Sequence, residues 1–249
     1  MTIKVYEKSQ RAKTVEHLLA EHLSPLGIES LYILPIPSTR DGVSLNGSDM
    51  TLYDSVAGAG AGSLVIGYGI PDSIKEMLLV RGALLVDSSL DEEFLVENAE
   101  LTALATLGII LNTDIRAPKD LTVGIVGYGR IGKSLVHHLA YLGATLIVFT
   151  SREEVRETLS GYGVMTARSG DGGALSSLDI LINTAPAKIF DTGEESVIPT
   201  SLRVIDLASG VNFPSLASVE RYPSLPARMF PSSAGRVWFD SVMRNIGEG

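Results

Sequence analysis

The sequence of 249 residues predicts an α/β protein with two lobes, each built on a parallel sheet, and three observations carry that prediction. Short apolar runs alternate with segments of helical periodicity along the chain, the pattern of parallel strands joined by helices. A long helical stretch from Asp91 to Asn112 separates two such series, and Pro118 shortly after it prevents the helix from continuing. In the second series one strand runs straight into a glycine pattern of the form GxGxxG and then into a helix.

In the first series, Ile3–Tyr6 reads as a short strand, followed by Val15, Leu18, Leu19 and Leu23 at helical spacing. Leu31–Pro35 is a second strand and ends in the polar loop Pro37–Gly42. Ser63–Gly67 and Ala83–Asp87 are two further strands of buried type. The small-residue run Ala57–Gly62 is expected to be a loop. Residues 1–95 are therefore expected to form the smaller, flavodoxin-like N-terminal α/β domain. Residues 96–249 are expected to form the second domain, with the interlobe helix at its start and the C-terminal helix at its end.

Composition narrows the function. A chain that is 45% hydrophobic and 20% charged can bury a core. A net charge of −9 argues against nucleic acid or an anionic membrane as the main partner. The absence of cysteine excludes disulfides, a catalytic thiol and thiolate metal sites. The opening MTIKVYEKSQRAK lacks the apolar core of a signal peptide, and the apolar stretch Ala103–Leu111 is too short to span a bilayer. A cytoplasmic protein is expected, and no metal site, since His17 and His22 have no carboxylate ligand set near them.

The second series carries the chemistry. Leu121–Val126 is a β-branched run suited to a central strand, and it passes directly into Gly127-Tyr128-Gly129-Arg130-Ile131-Gly132. A helix follows, with Leu135, Val136, Leu139 and Leu142 on one face, and Ala144–Phe149 resumes as a strand. This is the complete context of a Rossmann-type doubly wound parallel sheet. Gly127 would permit the tight turn, Gly129 would leave room for a pyrophosphate, and Gly132 would let helix and strand pack closely. The helix N-terminus would offer bare N–H groups to the phosphates.

Cofactor choice is read where the next strand ends, at Thr150-Ser151-Arg152, with no carboxylate in the place that would accept from ribose hydroxyls. Ser151 can donate a hydrogen bond to a 2′-phosphate and Arg152 can pair with it, so NADP(H) is expected ahead of NAD(H). Glu153 and Glu154 are expected to start the following helix. Asp179–Asn183 and Val204–Leu207 read as two more strands. The loops at their carboxyl ends, Asn183-Thr184-Ala185-Pro186 and Leu207-Ala208-Ser209, are expected to approach the cofactor.

Beyond these elements, Tyr32–Pro35 leads to Asp41–Val43, and the runs GIVGYGRIGKSL (124–135), LDILINTAP (178–186), VIDLASG (204–210) and PSSAG (231–235) recur through the chain. In these segments the sequence resembles the D-2-hydroxyacid dehydrogenase superfamily and, more closely, the dipicolinate synthase A-subunit family. The resemblance implies oxidation of a dihydrodipicolinate-type ring dicarboxylate to dipicolinate with NADP⁺, in the setting of bacterial sporulation. It also implies a flavoprotein-like second subunit, and a homo-oligomer is expected.

The residues argue against ordinary hydroxyacid chemistry. No histidine follows His138, and Ser209 stands where the superfamily resemblance leads one to expect a substrate-binding arginine. His137 and His138 are adjacent on a helix and read as packing or surface residues. Ring oxidation asks mainly for alignment of hydride donor and acceptor, and for donors to the carboxylates. Candidate substrate contacts are Ser38, Thr39, Arg40 and Asp41. Ser232, Ser233 and Glu100 are the catalytic candidates. The plain alternatives are a solvated turn for Ser38–Asp41, a helix N-cap for Ser232 and Ser233, and a surface role for Glu100. Two other functions stay open: a nucleotide-binding regulatory or scaffold subunit without chemistry, and a D-2-hydroxyacid dehydrogenase-like reductase of unknown substrate.

Overall fold

The structure, a computed structural model, describes residues 1–168, 170–186, 198–208, 212–213 and 219–247. The chain divides into two compact units, one of residues 1–98 with 226–249 and the other of residues 99–225.

The first unit holds β1 (Thr2–Val5), α1 (Gln10–Leu23), β2 (Ser30–Ile33), α2 (Leu52–Ser55), β3 (Ser63–Gly67), α3 (Asp72–Val80) and β4 (Leu84–Asp87). Its four strands are parallel and lie side by side in chain order. The lobe is parallel α/β, as its alternating strands and helices predict. The strand order nevertheless lacks the reversal of a flavodoxin-type sheet, so this sheet has no topological switch point. Strand β3 is buried along its whole length, and Tyr32, Val65, Ile74 and Leu78 join one core with Leu45, Leu52 and Val56 of the long β2–β3 connection.

Helix α4 (Glu92–Thr113) begins in the first unit and continues into the second. It forms a single helix of 22 residues, within one residue at each end of the Asp91–Asn112 stretch read from the sequence. By length and composition alone it could cross a membrane; half of its most apolar window is buried inside the protein.

The second unit contains β5 (Thr122–Val126), α5 (Arg130–Tyr141), β6 (Thr145–Phe149), α6 (Glu153–Gly161), β7 (Met165–Ala167), α7 (Gly172–Ser176), β8 (Ile180–Asn183), β9 (Arg203–Asp206) and β10 (Val219–Arg221). All neighbouring strands are parallel, in the order β10-β9-β8-β5-β6-β7. This is the doubly wound Rossmann arrangement, with the order reversing between β5 and β8. The sequence reading does not anticipate β7 or β10, two edge strands of three residues each. Their half-polar composition carries no apolar run to mark them.

The last two helices, α8 (Leu225–Met229) and α9 (Pro231–Gly247), correct the expected boundary of 96–249. Residues 226–249 group with the first unit, whose α1 packs along α9. Gly235 makes the close approach necessary: a Cβ there would lie 2.5 Å from Thr14 Cβ and 2.9 Å from the Arg11 carbonyl oxygen. Trp238 is fully buried beside it, with the Arg11 guanidinium 5.6 Å from the ring centroid. The PSSAG run is thus in part a packing seam.

Candidate functional site

Glycine geometry defines the site at the carboxyl end of β5. Gly127 has a φ of +88°, the left-handed region that L side chains avoid, and a Cβ there would press on Thr184 and Ala185. At Gly132 a Cβ would stand 2.3 Å from the Gly127 carbonyl oxygen, so helix and turn can touch only through bare backbone. Gly129 differs from both. A Cβ built on it meets nothing within 4 Å, and its backbone is extended. The space in front of Gly129 is open, and only the absence of a side chain keeps it so.

That space faces the start of α5, where Gly129 is the N-cap and gives no side-chain hydrogen bond. The first turn of α5 carries no acidic residue. The first amides of a helix have no intrahelical acceptor, and the summed peptide dipoles make this end positive. A diphosphate supplies acceptors and negative charge together. The residues therefore fit the pyrophosphate of a dinucleotide.

The neighbouring strand ends complete the crevice. Thr184, after β8, donates through both its amide and its Oγ1 to the Val126 carbonyl, at 3.0 and 2.9 Å, which ties the loop to the end of β5. Asn183 is buried and donates from Nδ2 to Asp206 Oδ1 at 2.9 Å. Asp206 also accepts from the Ala208 amide at 3.2 Å. The Leu207 amide donates to the Asn183 carbonyl oxygen at 3.0 Å. Asn183–Pro186 and Leu207–Ala208 thus lie together at the carboxyl ends of β8 and β9; Ser209 lies outside the described residues. Asp206, which holds this corner, is missed by the sequence reading because it looks like one more strand residue.

On the other side, at the end of β6, Thr150 is buried and its Oγ1 accepts from the Arg152 amide at 3.2 Å. Ser151 is exposed. Arg152 Nη2 donates to the Tyr128 carbonyl oxygen at 3.0 Å, placing the guanidinium against the glycine loop. Lys133 Nζ sits 5.8 Å from the Tyr128 ring centroid and adds a second positive charge at this edge. Glu153 begins α6, as expected, and is held in an ion pair by Arg156.

The other candidates separate. Ser38 is fully buried; its Oγ donates to the Pro35 carbonyl at 3.1 Å and accepts from the Tyr68 amide at 2.9 Å. This corrects its expected place among substrate contacts, because its hydrogen-bonding capacity is used in holding the β2 loop to the turn after β3. Asp41 accepts from the amides of Val43 and Ser44, at 2.9 and 2.7 Å, and from the hydroxyls of Ser44 and Thr39. The two amide bonds, then the Ser44 hydroxyl, hold its carboxyl well below the usual carboxylate range. Asp41 and Thr39 organise their own loop. Arg40 is exposed and, among the described residues, gives one side-chain bond, from Nε to Asn46 at 3.2 Å, which leaves both terminal nitrogens for another group.

Glu100 belongs to the second unit, where its two oxygens accept from Ser134 and His138, both on α5. Burial alone would raise its carboxyl; the Ser134 and His138 hydrogen bonds outweigh that and hold it below the ordinary range. An ionised carboxylate with both oxygens engaged is a tether between α4 and α5, which corrects the expected proton-accepting role. Ser232 and Ser233 stand in the first turn of α9 in the first unit, exposed, rather than at its N-cap. With Lys13, His17, Arg236 and Glu97 they line an open cavity of about 650 Å³.

No protein-family model and no curated protein matches the sequence. Among solved structures, the A subunit of dipicolinate synthase from Bacillus halodurans is similar, at 18% identity and a TM-score of 0.77 over 100% of this chain and 98% of that one. Its counterpart from the dipicolinate synthase of Bacillus subtilis matches at 18% identity and 0.73, covering 100% and 96%. D-lactate dehydrogenase from Escherichia coli matches at 12% identity and 0.60, covering 100% and 98%. These identities establish likeness of fold, and this chain shares its fold with the D-lactate dehydrogenases and, more closely, with the dipicolinate synthase structures.

Proposed function

We propose that the chain is a nicotinamide-dinucleotide-dependent oxidoreductase that prefers NADP(H) and acts on a small ring dicarboxylate of dihydrodipicolinate type. The observation that carries the reading is the open, side-chain-free face of Gly129 at an uncapped helix start. That arrangement serves a diphosphate and has no evident use in packing. Arg152 against the glycine loop, with Ser151 in place of an acid, supports the phosphorylated form.

The dinucleotide would supply the hydride acceptor. Oxidation of a dihydropyridine ring releases a hydride from a ring carbon and a proton to water, and aromatisation drives both losses. The protein then has to position the ring and neutralise two carboxylates. Arg40, with two uncommitted guanidinium nitrogens, and Ser232 with Ser233 are the residues proposed to contact the substrate. The likeness to structures named dipicolinate synthase supports the substrate class.

One observation favours a second reading, a nucleotide-binding protein without chemistry of its own: Ser38 and Glu100 are committed to structure. The two readings part in one experiment. The purified chain is titrated with NADPH and NADH, then assayed with NADP⁺ and dihydrodipicolinate while dipicolinate absorbance is followed. Binding with turnover supports the enzyme. Binding without turnover, with or without a flavoprotein-like partner, supports the non-catalytic role, and binding of neither nucleotide removes both.

A further inference from the structure

We propose that Arg168, at the carboxyl end of the edge strand β7, forms with Arg152 the subsite for the 2′-phosphate of NADP(H). The inference deepens the dinucleotide reading and rests on it. Strand β7 runs beside β6 with Ala167 opposite Phe149, and the Thr150 amide donates to the Ala167 carbonyl at 3.1 Å. The two chain segments therefore leave the sheet at the same edge, Arg168 directly after Ala167 and Arg152 two residues after Thr150.

The charges at this edge have few rivals. Arg168 is exposed and has no ion-pair partner among the described residues. Arg152 spends one donor on the Tyr128 carbonyl, which fixes the guanidinium beside the glycine loop and leaves its other donors. The acid nearest in sequence, Glu153, is neutralised by Arg156, and that pair does most to hold its carboxyl low; the field of Arg168 reaches it as a smaller contribution. Asp171, three residues beyond Arg168, caps α7 by accepting from the Ala174 amide at 3.0 Å. In a chain of net charge −9, two arginines follow neighbouring strand ends; among the described residues one has no ion-pair partner and the side chain of the other bonds a backbone carbonyl, which makes a local positive site. A phosphate dianion suits two guanidinium forks, whereas the bare ribose hydroxyls of NAD(H) would want a carboxylate that is missing here.

Calorimetric titration of the wild type, Arg168→Ala, Arg168→Lys and Arg152→Ala tests this, with 2′,5′-ADP, 5′-AMP, NADPH and NADH as probes. The expected result is that Arg168→Ala weakens NADPH and 2′,5′-ADP by about tenfold and leaves NADH and 5′-AMP within about twofold, with Arg168→Lys recovering part of the loss. Arg152→Ala should show the same selectivity. Equal weakening of all four probes by Arg168→Ala, no weakening at all, or a wild type that prefers NADH would overturn the assignment while leaving a dinucleotide site in place. A wild type that binds none of the probes removes the dinucleotide reading itself.

Discussion

At the carboxyl ends of their sheets, the loops of the first unit and the glycine turn after β5 in the second treat backbone amides in opposite ways. In the first unit the protein's own carboxylates meet them. Asp87 accepts from Gly69 and Ile70 at 2.8 and 3.0 Å, Glu7 accepts from Ile36 at 3.2 Å, and Asp41 closes its own loop. In the second unit the start of α5 has a glycine cap and no acid in its first turn. The strand orders differ in the same sense, since the first sheet runs in chain order and the second reverses between β5 and β8. One sheet carries its anions with it, and the other opens a crevice and leaves a place for one. A polar loop is thus poor evidence of a binding site until its internal hydrogen bonds are accounted for.

The sharpest way to break this contrast is at the glycines. Gly132→Val forces a side chain into the Gly127 carbonyl, so an expected loss of about 3 kcal/mol should appear in chemical denaturation together with loss of nucleotide binding. Gly129→Val, three residues away, meets open space. It should change stability by less than about 1 kcal/mol and weaken NADPH by about 100-fold in the same titration. If Gly129→Val binds normally, the open face is not a phosphate cradle and the contrast fails.

Asp87 tests the self-satisfied sheet. Burial would raise its carboxyl, but bonds from Ser89, Lys75, Ile70 and Gly69 outweigh it and place the folded-state pKa below the unfolded value. The stabilisation is therefore present above about pH 4 and is lost as pH falls through the folded-state pKa. Asp87→Asn should cost about 2 kcal/mol at pH 7 and flatten the acid limb of the stability profile, with nucleotide affinity unchanged. Glu100→Gln should have the smallest effect, under about 1 kcal/mol because the carboxylate is partly exposed and screened. A collapse of nucleotide binding in that variant, with the fold intact, would return Glu100 to the functional site.

Much of the second unit was legible from local sequence. The run Thr122–Val126 into GYGRIG specifies strand, turn and helix within a few residues, because φ at Gly127 and contact at Gly132 admit no other residue type. Arg152 could be placed because it follows a strand with a clear apolar run. Arg168 could not, since Met165–Ala167 has no pattern that marks a strand without β6 beside it. The structural roles of Ser38 and Glu100 were equally hidden, because their partners Tyr68, Ser134 and His138 are distant in the chain.

By itself the sequence determined the alternation of strands and helices, the glycine turn and the lack of an acid at residues 150–152, since each depends on residue type at short spacing. Tertiary structure alone decided that α9 joins the first unit, that Asp206 holds Asn183, and that β7, which leads into Arg168, pairs beside β6. Such outcomes depend on which distant segments pack or pair, and hydrogen bonds and charges take their meaning from neighbours that only folding supplies.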